Sequence, residues 1–206
     1  SLSVENRLQG SIFSTFLTFG VIIKNRLFMS YVGIQSFLLG SMFAYIAASP
    51  FIFQSFYGLS AFVFSLCFGA NGAALVIGAN IGGKLANHKA LAIGVFAFVV
   101  AALYTIVVLI IQPYWLFVEI GFFAMLLLMG ITFPAISSLA MESERQYAGS
   151  ASALLGFAPF FLGGVVSPLV GIGNIFYSTA LVILACSVLA LAIYWMVRHK
   201  IPNSAE

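Results

Sequence analysis

Long apolar runs, separated by short polar or charged turns, make up the chain from residue 27 to residue 197. Each run has about the 20 residues that an α-helix needs to cross the hydrocarbon core of a bilayer. The pattern therefore predicts an all-α membrane protein with a six-helix transmembrane domain. The six spans are predicted at Leu27–Phe53, Ser60–Gly83, Ala90–Ile111, Trp115–Met141, Tyr147–Gly171 and Ile175–Val197.

The two ends of the chain are more polar than the spans. Residues 1–26 are expected to form a cytoplasmic linker, and residues 198–206 a cytoplasmic tail. Within the linker, Ser11–Ile23 is apolar but too short to span, and Lys24 and Arg26 follow it. This favours an interfacial helix, with a disordered linker as the alternative. The opening residues do not resemble a signal peptide, and the chain begins as though cut from a longer protein.

The composition supports a membrane protein and argues against other classes. Hydrophobic residues make up 63% of the chain and charged residues only 6%, whereas soluble domains have about 25% charged residues. The net charge of +3 does not indicate a nucleic-acid partner, because the basic residues occur singly or in pairs between apolar runs. Cys67 and Cys186 lie deep within apolar runs, so neither a disulfide nor a metal or other cofactor is expected.

The basic residues predict the orientation of the chain. All eight Lys and Arg residues fall on one side of the six-span topology, and the turns near Tyr57, Pro113 and Gly173 contain none. Since positively charged loops favour the cytoplasmic side, both termini are expected in the cytoplasm.

Polar residues within the spans are concentrated in the first and fourth spans, where they recur at alternating steps of four and three. This spacing places them on one face of a helix. Pro50 and Pro134 lie at or beside these faces and favour kinks. The two stripes are Tyr31, Gln35, Leu38, Met42, Tyr45 and Ser49 in the first span, and Glu119, Phe123, Leu126, Gly130, Phe133 and Ser137 in the fourth.

The second and fifth spans contain stripes of small residues, which let helix backbones approach closely in lipid. The third and sixth spans are bulky and apolar, as expected of lipid-facing helices. The small stripes are Cys67, Asn71, Ala74, Gly78 and Gly82 in the second span, and Gly149, Gly156 and Gly163 with Ser152 and Pro159 in the fifth.

The order polar, small, bulky therefore occurs twice along the chain. Because three helices is an odd number, the second copy must be inverted in the membrane relative to the first. Two inverted three-helix repeats within a six-helix unit are characteristic of one transporter architecture.

Two segments of the chain carry a resemblance to a known family: Ser49-Pro50-Phe51 with Tyr57-Gly58-Leu59-Ser60, Phe64 and Phe68-Gly69-Ala70-Asn71, and Ala148–Gly156. They resemble the bicyclomycin/chloramphenicol-resistance branch of the major facilitator superfamily, a type of bacterial drug–proton antiporter whose carboxy-terminal half would be half of a major-facilitator fold. The resemblance covers the whole chain but matches only the carboxy-terminal half of such proteins. A weaker match is the loop Gly83–His88, in which Asn87 and His88 replace the Asp and Arg of the superfamily's motif, so the ion pair of that motif is in doubt here.

The resemblance implies that the first and fourth spans line a central cavity and that the second and fifth face the other half of the transporter. It also implies export in exchange for protons and a location in the bacterial inner membrane. The candidate substrate wall is Tyr31, Gln35, Met42, Tyr45, Ser49 and Phe123, because aromatic and Met side chains suit varied amphipathic ligands. Hydrogen bonding between helices is the alternative role for this wall.

Other residues are assigned to helix packing and gating. Asn71 lies on the small face of its span, where it is expected to bridge helices instead of contacting substrate. The remaining members of this group are Gly149, Gly156, Gly163 and Pro159.

Glu119 is the one charged residue within the fourth apolar run. A carboxylate at the centre of the bilayer costs about 2.5–3.5 kcal/mol on insertion scales. Glu119 lies near the non-cytoplasmic end of its span, so two interpretations remain open. It either couples protons or attracts cations at an outer gate, or it is a rim residue in contact with interfacial water.

The sequence argues against an enzyme or a channel. The spans contain no His for an intramembrane serine protease, and there is neither a P-loop nor a selectivity-filter sequence. The expected function is half of a secondary transporter for drugs or other small amphipathic molecules. Its expected partners are the missing amino-terminal half or a second copy, together with the lipid bilayer. A membrane scaffold, an interaction domain or a homodimerising half-transporter is the alternative.

Overall fold

The computed structural model describes residues 19–201, and six helices within this range are long and apolar enough to cross a membrane. This confirms the predicted all-α membrane fold. The ends of the six helices differ from the predicted ends of the spans by no more than three residues. The helices are α1 Arg26–Pro50, α2 Ala61–Gly82, α3 Asn87–Ile111, α4 Trp115–Ser143, α5 Ala148–Val170 and α6 Ile175–Val197.

Three shorter elements extend the helices. A π-helical turn, Phe51–Phe56, continues α1 beyond Pro50, and 3₁₀ turns at Arg145–Tyr147 and Arg198–Lys200 follow α4 and α6. Most of the predicted interfacial helix, Ser11–Ile23, lies outside the described residues.

Local sequence accounts for where the helices begin and end. The side chains of Asn25, Ser60 and Asn174 accept hydrogen bonds from the first free backbone N–H groups of α1, α2 and α6, which is the role these residue types favour. At the end of α3, Gln112 adopts a left-handed conformation with φ of 54°, and Pro113 then prevents the helix from continuing.

The packing of the helices follows an approximate two-fold symmetry. The first helices of the two triplets, α1 and α4, contact each other at the centre of the bundle. Each of them packs mainly against the second and third helices of the opposite triplet: α1 contacts α5 and α6, and α4 contacts α2 and α3. The two third helices, α3 and α6, also contact each other. Exchanging the two triplets leaves this contact pattern unchanged.

Two hydrogen bonds show that α1 and α4 are antiparallel. Where α1 begins and α4 ends, the Asn25 side-chain amide donates to Glu144 Oε1 at 2.6 Å. At the opposite end, the Tyr57 hydroxyl donates to the Pro113 carbonyl at 2.7 Å. Partial burial raises the pKa of the Tyr57 phenol, which keeps this hydroxyl a donor. The repeats are therefore inverted, as the sequence predicts.

The small stripe of α2 packs inside the bundle, against α4. A Cβ on Gly78 would meet the Leu127 carbonyl, and a Cβ on Gly130 would meet the Leu75 carbonyl. All five stripe residues, Cys67, Asn71, Ala74, Gly78 and Gly82, are buried. The prediction that the second span faces the other half is therefore wrong for this stripe, because α4 already covers it.

The small stripe of α5 divides into two parts. Pro159 and Gly163 are buried, and a Cβ on Gly163 would overlap the Phe43 ring of α1. Gly149 and Gly156 are exposed, and a Cβ on either would meet nothing within 4 Å. Only the second half of the stripe therefore packs within the described bundle.

Candidate functional site

A groove of about 450 Å³ lies where α1, α2 and α4 meet. Its wall is mainly apolar, and the Gln35 amide from α1 and the Ser137 hydroxyl from α4 supply the polar side-chain groups. Such a surface, apolar with a few polar groups, suits a small amphipathic ligand. The lining residues are Gln35, Met42, Leu75, Val76, Ala79, Gly130, Phe133, Pro134 and Ser137.

The groove brings together the two polar stripes predicted from the sequence. Gln35 and Met42 come from the stripe of the first span, and Phe133 and Ser137 come from the stripe of the fourth. Antiparallel packing of α1 and α4 makes the two faces adjacent. The buried Gln35 Oε1 has no hydrogen-bond partner among the described residues, so it is available to a ligand or a water molecule.

The other predicted wall residues do not line the groove. Tyr31, Tyr45 and Ser49 are buried within the helix packing, at 0%, 2% and 0% exposure. Phe123 is half-buried and packs against the core. Of the six residues predicted for the wall, the groove contains Gln35 and Met42 only.

A buried polar cluster formed by Tyr45, Asn71 and Glu119 joins the same three helices beside the groove. The Asn71 side-chain amide of α2 donates to the Tyr45 hydroxyl of α1 at 2.9 Å, so Asn71 bridges these two helices. The Tyr45 ring contacts Phe122 of α4, with 4.7 Å between ring centroids, and stacks on Phe68 of α2 at 5.8 Å. Aromatic packing and one hydrogen bond thus fix Tyr45 and Asn71 together.

Glu119 is the charged member of this cluster. Its carboxylate lies close enough to the Asn71 amide and the Tyr45 hydroxyl to interact with them electrostatically. Neither carboxylate oxygen has a hydrogen bond of normal geometry to a described residue, and the same holds for Asn71 Oδ1. Three buried oxygen acceptors of the cluster therefore lack a hydrogen bond of normal geometry.

The burial of Glu119 contradicts the interpretation as a wet rim residue. The residue is 7% exposed, and both carboxylate oxygens are buried. The position of Glu119 near one end of its span predicted that the carboxylate reaches interfacial water. Packing against neighbouring helices, which distance along one helix does not show, removes that access.

The cluster and the groove occupy successive levels of the bundle. Tyr45 follows Met42 by three residues along α1, which is a rise of about 4.5 Å. On α2 and α4, Asn71 and Glu119 also lie closer than the groove residues to the end of the bundle with the Tyr57–Pro113 hydrogen bond. The cluster therefore lies above the groove, towards the turn that is predicted to be external.

Sequence reasoning missed three residues of the groove and one buried contact outside it. Leu75, Val76 and Ala79 of α2 line the groove, although polarity and spacing gave no reason to select them. Outside the groove, Glu144 is 9% exposed and accepts a hydrogen bond from Asn25. The available signal was Asn25 itself, which directly precedes a long apolar run, as helix-capping residues do.

Metal or cofactor binding has no evident site in the part of the chain that the structure describes. No group of three or more His, Cys, Asp and Glu side chains lies together there. Cys67 and Cys186 are buried free thiols.

Comparison with known proteins gives one informative similarity. Over 178 residues the chain is 37% identical to an uncharacterised MFS-type transporter, YdgK, of Bacillus subtilis (strain 168). The similarity supports membership of the major facilitator superfamily. The match covers 84% of this chain but 44% of the relative, so the chain spans less than half of the relative's length. No family model matches the chain.

The relative's description agrees with the structure. A protein described as a transporter and a bundle of membrane-spanning helices both agree with the expectation that the chain is not an enzyme. Its superfamily is also the one that the two sequence segments and the inverted repeats resemble.

Proposed function

We propose that the chain is the carboxy-terminal half of a secondary transporter that exports drugs or other small amphipathic molecules in exchange for protons. The observation that carries this proposal is the groove, in which side chains from the first helix of each inverted repeat face one another. In transporters built from such repeats, substrate sites lie near the midplane at the repeat interface, and rocking about that site gives alternating access.

The amino-terminal half is the proposed partner that closes the groove. The chain matches 44% of a longer MFS-type relative, which leaves room for six further spans. Exposed small residues on α2 and α5 suggest that a further helix, and not lipid alone, packs on these faces, because small residues permit close approach of helix backbones. Gly69 and Gly72 on α2 and Gly149 and Gly156 on α5 all face open space.

Glu119 is the proposed proton-coupling residue. An ionised carboxylate in a buried site needs hydrogen bonds or water to offset its lost hydration, and no described residue supplies a hydrogen bond of normal geometry. Uptake of a proton removes the charge of Glu119 and so lowers its need for hydrogen bonds or water, and loss of the proton restores that need. The cluster therefore favours a dry environment when protonated and a hydrated one when ionised. Coupling proton transfer to alternating access requires such a difference.

The groove is tested most directly by filling it. We call the chain joined to its amino-terminal half the complete transporter. In the complete transporter, Met42→Trp should reduce efflux of ethidium from loaded cells by about tenfold or more. The larger indole ring would take up space that the ligand needs, and overpacking costs about 1–3 kcal/mol. Leu181→Trp is the matched control, since Leu181 is 66% exposed on α6. Unchanged efflux by Met42→Trp, with both variants present at wild-type amounts, would remove the groove as the substrate wall.

A further inference from the structure

A second cavity, of about 430 Å³, lies between the start of α1 and the end of α6. Two exposed basic residues, Arg26 and Lys200, lie at its mouth, and the Ser30 hydroxyl is a further polar group. The rest of the lining is apolar and includes Leu27, Ile193 and Met196. The cavity thus combines positive charge with an apolar wall at one edge of the bundle, away from the groove.

Buried side chains fix the segments that carry the two basic residues. Ile22, in the helical residues before the turn that leads to α1, is 0% exposed, and Ile201, directly after Lys200, is 9% exposed. Asn25 caps α1 by accepting hydrogen bonds from the backbone N–H groups of Leu27 and Phe28 at 3.0 and 3.2 Å. Arg26 and Lys200 therefore project from anchored backbone.

Neither Arg26 nor Lys200 forms an ion pair with a described residue. None of the lining residues of the cavity is acidic. The two acidic side chains where α4 ends contact other residues: Glu144 accepts a hydrogen bond from Asn25, and Glu142 forms an ion pair with Arg145 at 3.0 Å. Arg198, two residues before Lys200, is a third cation at this end of α6. Its guanidinium lies 3.6 Å from the centre of the Trp195 ring.

The location of the cavity indicates which anion it suits. Trp195 is 52% exposed, and exposed Trp beside basic residues at the end of a spanning helix is typical of the membrane–water interface. A basic cavity between helices on the cytoplasmic side suits an anionic lipid headgroup. The apolar wall along α1 and α6 then lies where the acyl chains begin.

We propose that this cavity binds the headgroup of an anionic phospholipid from the cytoplasmic leaflet, with Arg26 and Lys200 on its phosphate and an acyl chain against Leu27, Ile193 and Met196. The proposal rests on the expected cytoplasmic location of both termini, but it is independent of the substrate and of proton coupling. It adds a lipid site at the junction of α1 and α6.

The test titrates the delipidated complete transporter in detergent with phosphatidylglycerol, phosphatidylcholine or inorganic phosphate and counts bound molecules by native mass spectrometry. We expect phosphatidylglycerol to bind at least about tenfold more tightly than phosphatidylcholine, because basic residues near a membrane surface attract anionic headgroups. The double variant Arg26→Gln with Lys200→Gln should lose most of this preference. The matched control, Lys84→Gln with Lys89→Gln, removes two exposed cations where α2 ends and α3 begins and should retain the preference.

Three results would overturn the proposal. The first is equal affinity of the wild-type protein for the two lipids. The second is an equal loss of preference in both double variants, which would indicate a general effect of charge. The third is displacement of phosphatidylglycerol by inorganic phosphate at equal concentration, because the apolar wall would then contribute nothing and the cavity would be a free phosphate site.

Discussion

Within the polar cluster, Asn71 and Glu119 differ in how far their hydrogen-bonding groups are satisfied. Asn71 has a hydrogen-bonded donor group, whereas both oxygens of Glu119 are buried without a hydrogen bond of normal geometry to a described residue. An unsatisfied buried polar group costs about 1–3 kcal/mol, and more when it is charged. Asn71 is thus expected to contribute to stability, and Glu119 to function at a cost in stability.

Replacing Glu119 with Gln should abolish the pH dependence of ethidium export by the complete transporter, because the side chain keeps its shape but no longer binds and releases a proton. The measurement is the initial rate of efflux in mildly acidic and mildly alkaline buffer. Glu142→Gln is the control, since Glu142 is an exposed partner of Arg145. A wild-type pH profile for Glu119→Gln would end the proposed role in proton coupling.

Replacing Asn71 with Ala should lower the stability of the protein by about 1 kcal/mol, since side-chain hydrogen bonds between helices in membranes contribute about 0.6–1.7 kcal/mol. The measurement is the midpoint of thermal unfolding of the purified protein in detergent. Asn80→Ala on the same helix should have a smaller effect, because Asn80 is exposed and bonds only to the Val76 carbonyl of its own helix. Equal losses of stability in the two variants would show that the Asn71–Tyr45 hydrogen bond does not contribute to stability beyond a local bond within one helix.

At the scale of single residues, the sequence predicted the groove only in part. Helical spacing correctly placed Gln35 and Met42 on a face that meets Phe133 and Ser137. It placed Tyr45 on the same face but could not show that Tyr45 turns to Asn71 and the Phe122 ring. Periodicity defines a direction around a helix axis, whereas burial depends on which other helix covers that direction.

Among the helices, α2 and α4, which belong to opposite repeats, approach each other closely along their backbones. This approach depends on glycine from both sides, Gly78 and Gly130, because a Cβ on either would overlap a carbonyl of the other helix. Backbone atoms within a helix cannot move aside as a flexible side chain can. The two helices would have to separate to admit a methyl group.

Substituting Ala for Gly78 or Gly130 should therefore destabilise the protein by about 1–3 kcal/mol, the usual cost of overpacking. Gly72→Ala is the matched control on α2, since a Cβ there meets nothing within 4 Å. Thermal unfolding in detergent measures the three variants side by side. If Gly78→Ala were as stable as Gly72→Ala, the described approach of α2 to α4 would be wrong.

The elements themselves were predictable because their ends coincide with clear chemical changes. Lys84 and Lys89 interrupt apolar sequence, Pro113 ends α3, and Asn174 begins α6. The partner of the small stripe on α2 was not predictable, and the prediction that it faces the other half is wrong. Small size shows that a face can be approached closely, but not which helix approaches it.

As a whole, the bundle is held at both ends by contacts between its two repeats. Asn25 and Glu144 join α1 to α4 at one end, and Tyr57 and Pro113 join them at the other. With the glycine contact of α2 on α4, these bonds favour movement of the six helices as one body. That behaviour fits alternating access by rocking of one half against the other.

The orientation of this body is tested by labelling single cysteines in intact cells with a membrane-impermeant thiol reagent. In a background with Cys67→Ser and Cys186→Ser, Tyr114→Cys should react from outside, because it lies in a turn without basic residues. Lys89→Cys should react only after the membrane is permeabilised, because it is exposed in the first turn of α3, at the end of that helix predicted to be cytoplasmic. The opposite pattern would invert the topology and move the lipid site to the outer leaflet.

The most direct measurement of the central claim compares ethidium efflux from cells that contain this chain alone with efflux from cells that contain the complete transporter. Both proteins must reach the membrane in equal amounts, as shown by immunoblotting. The account predicts efflux by the complete transporter and background efflux by the chain alone, because the groove then lacks its opposing wall. Efflux by the chain alone at the rate of the complete transporter would contradict the claim that it is half of a transporter.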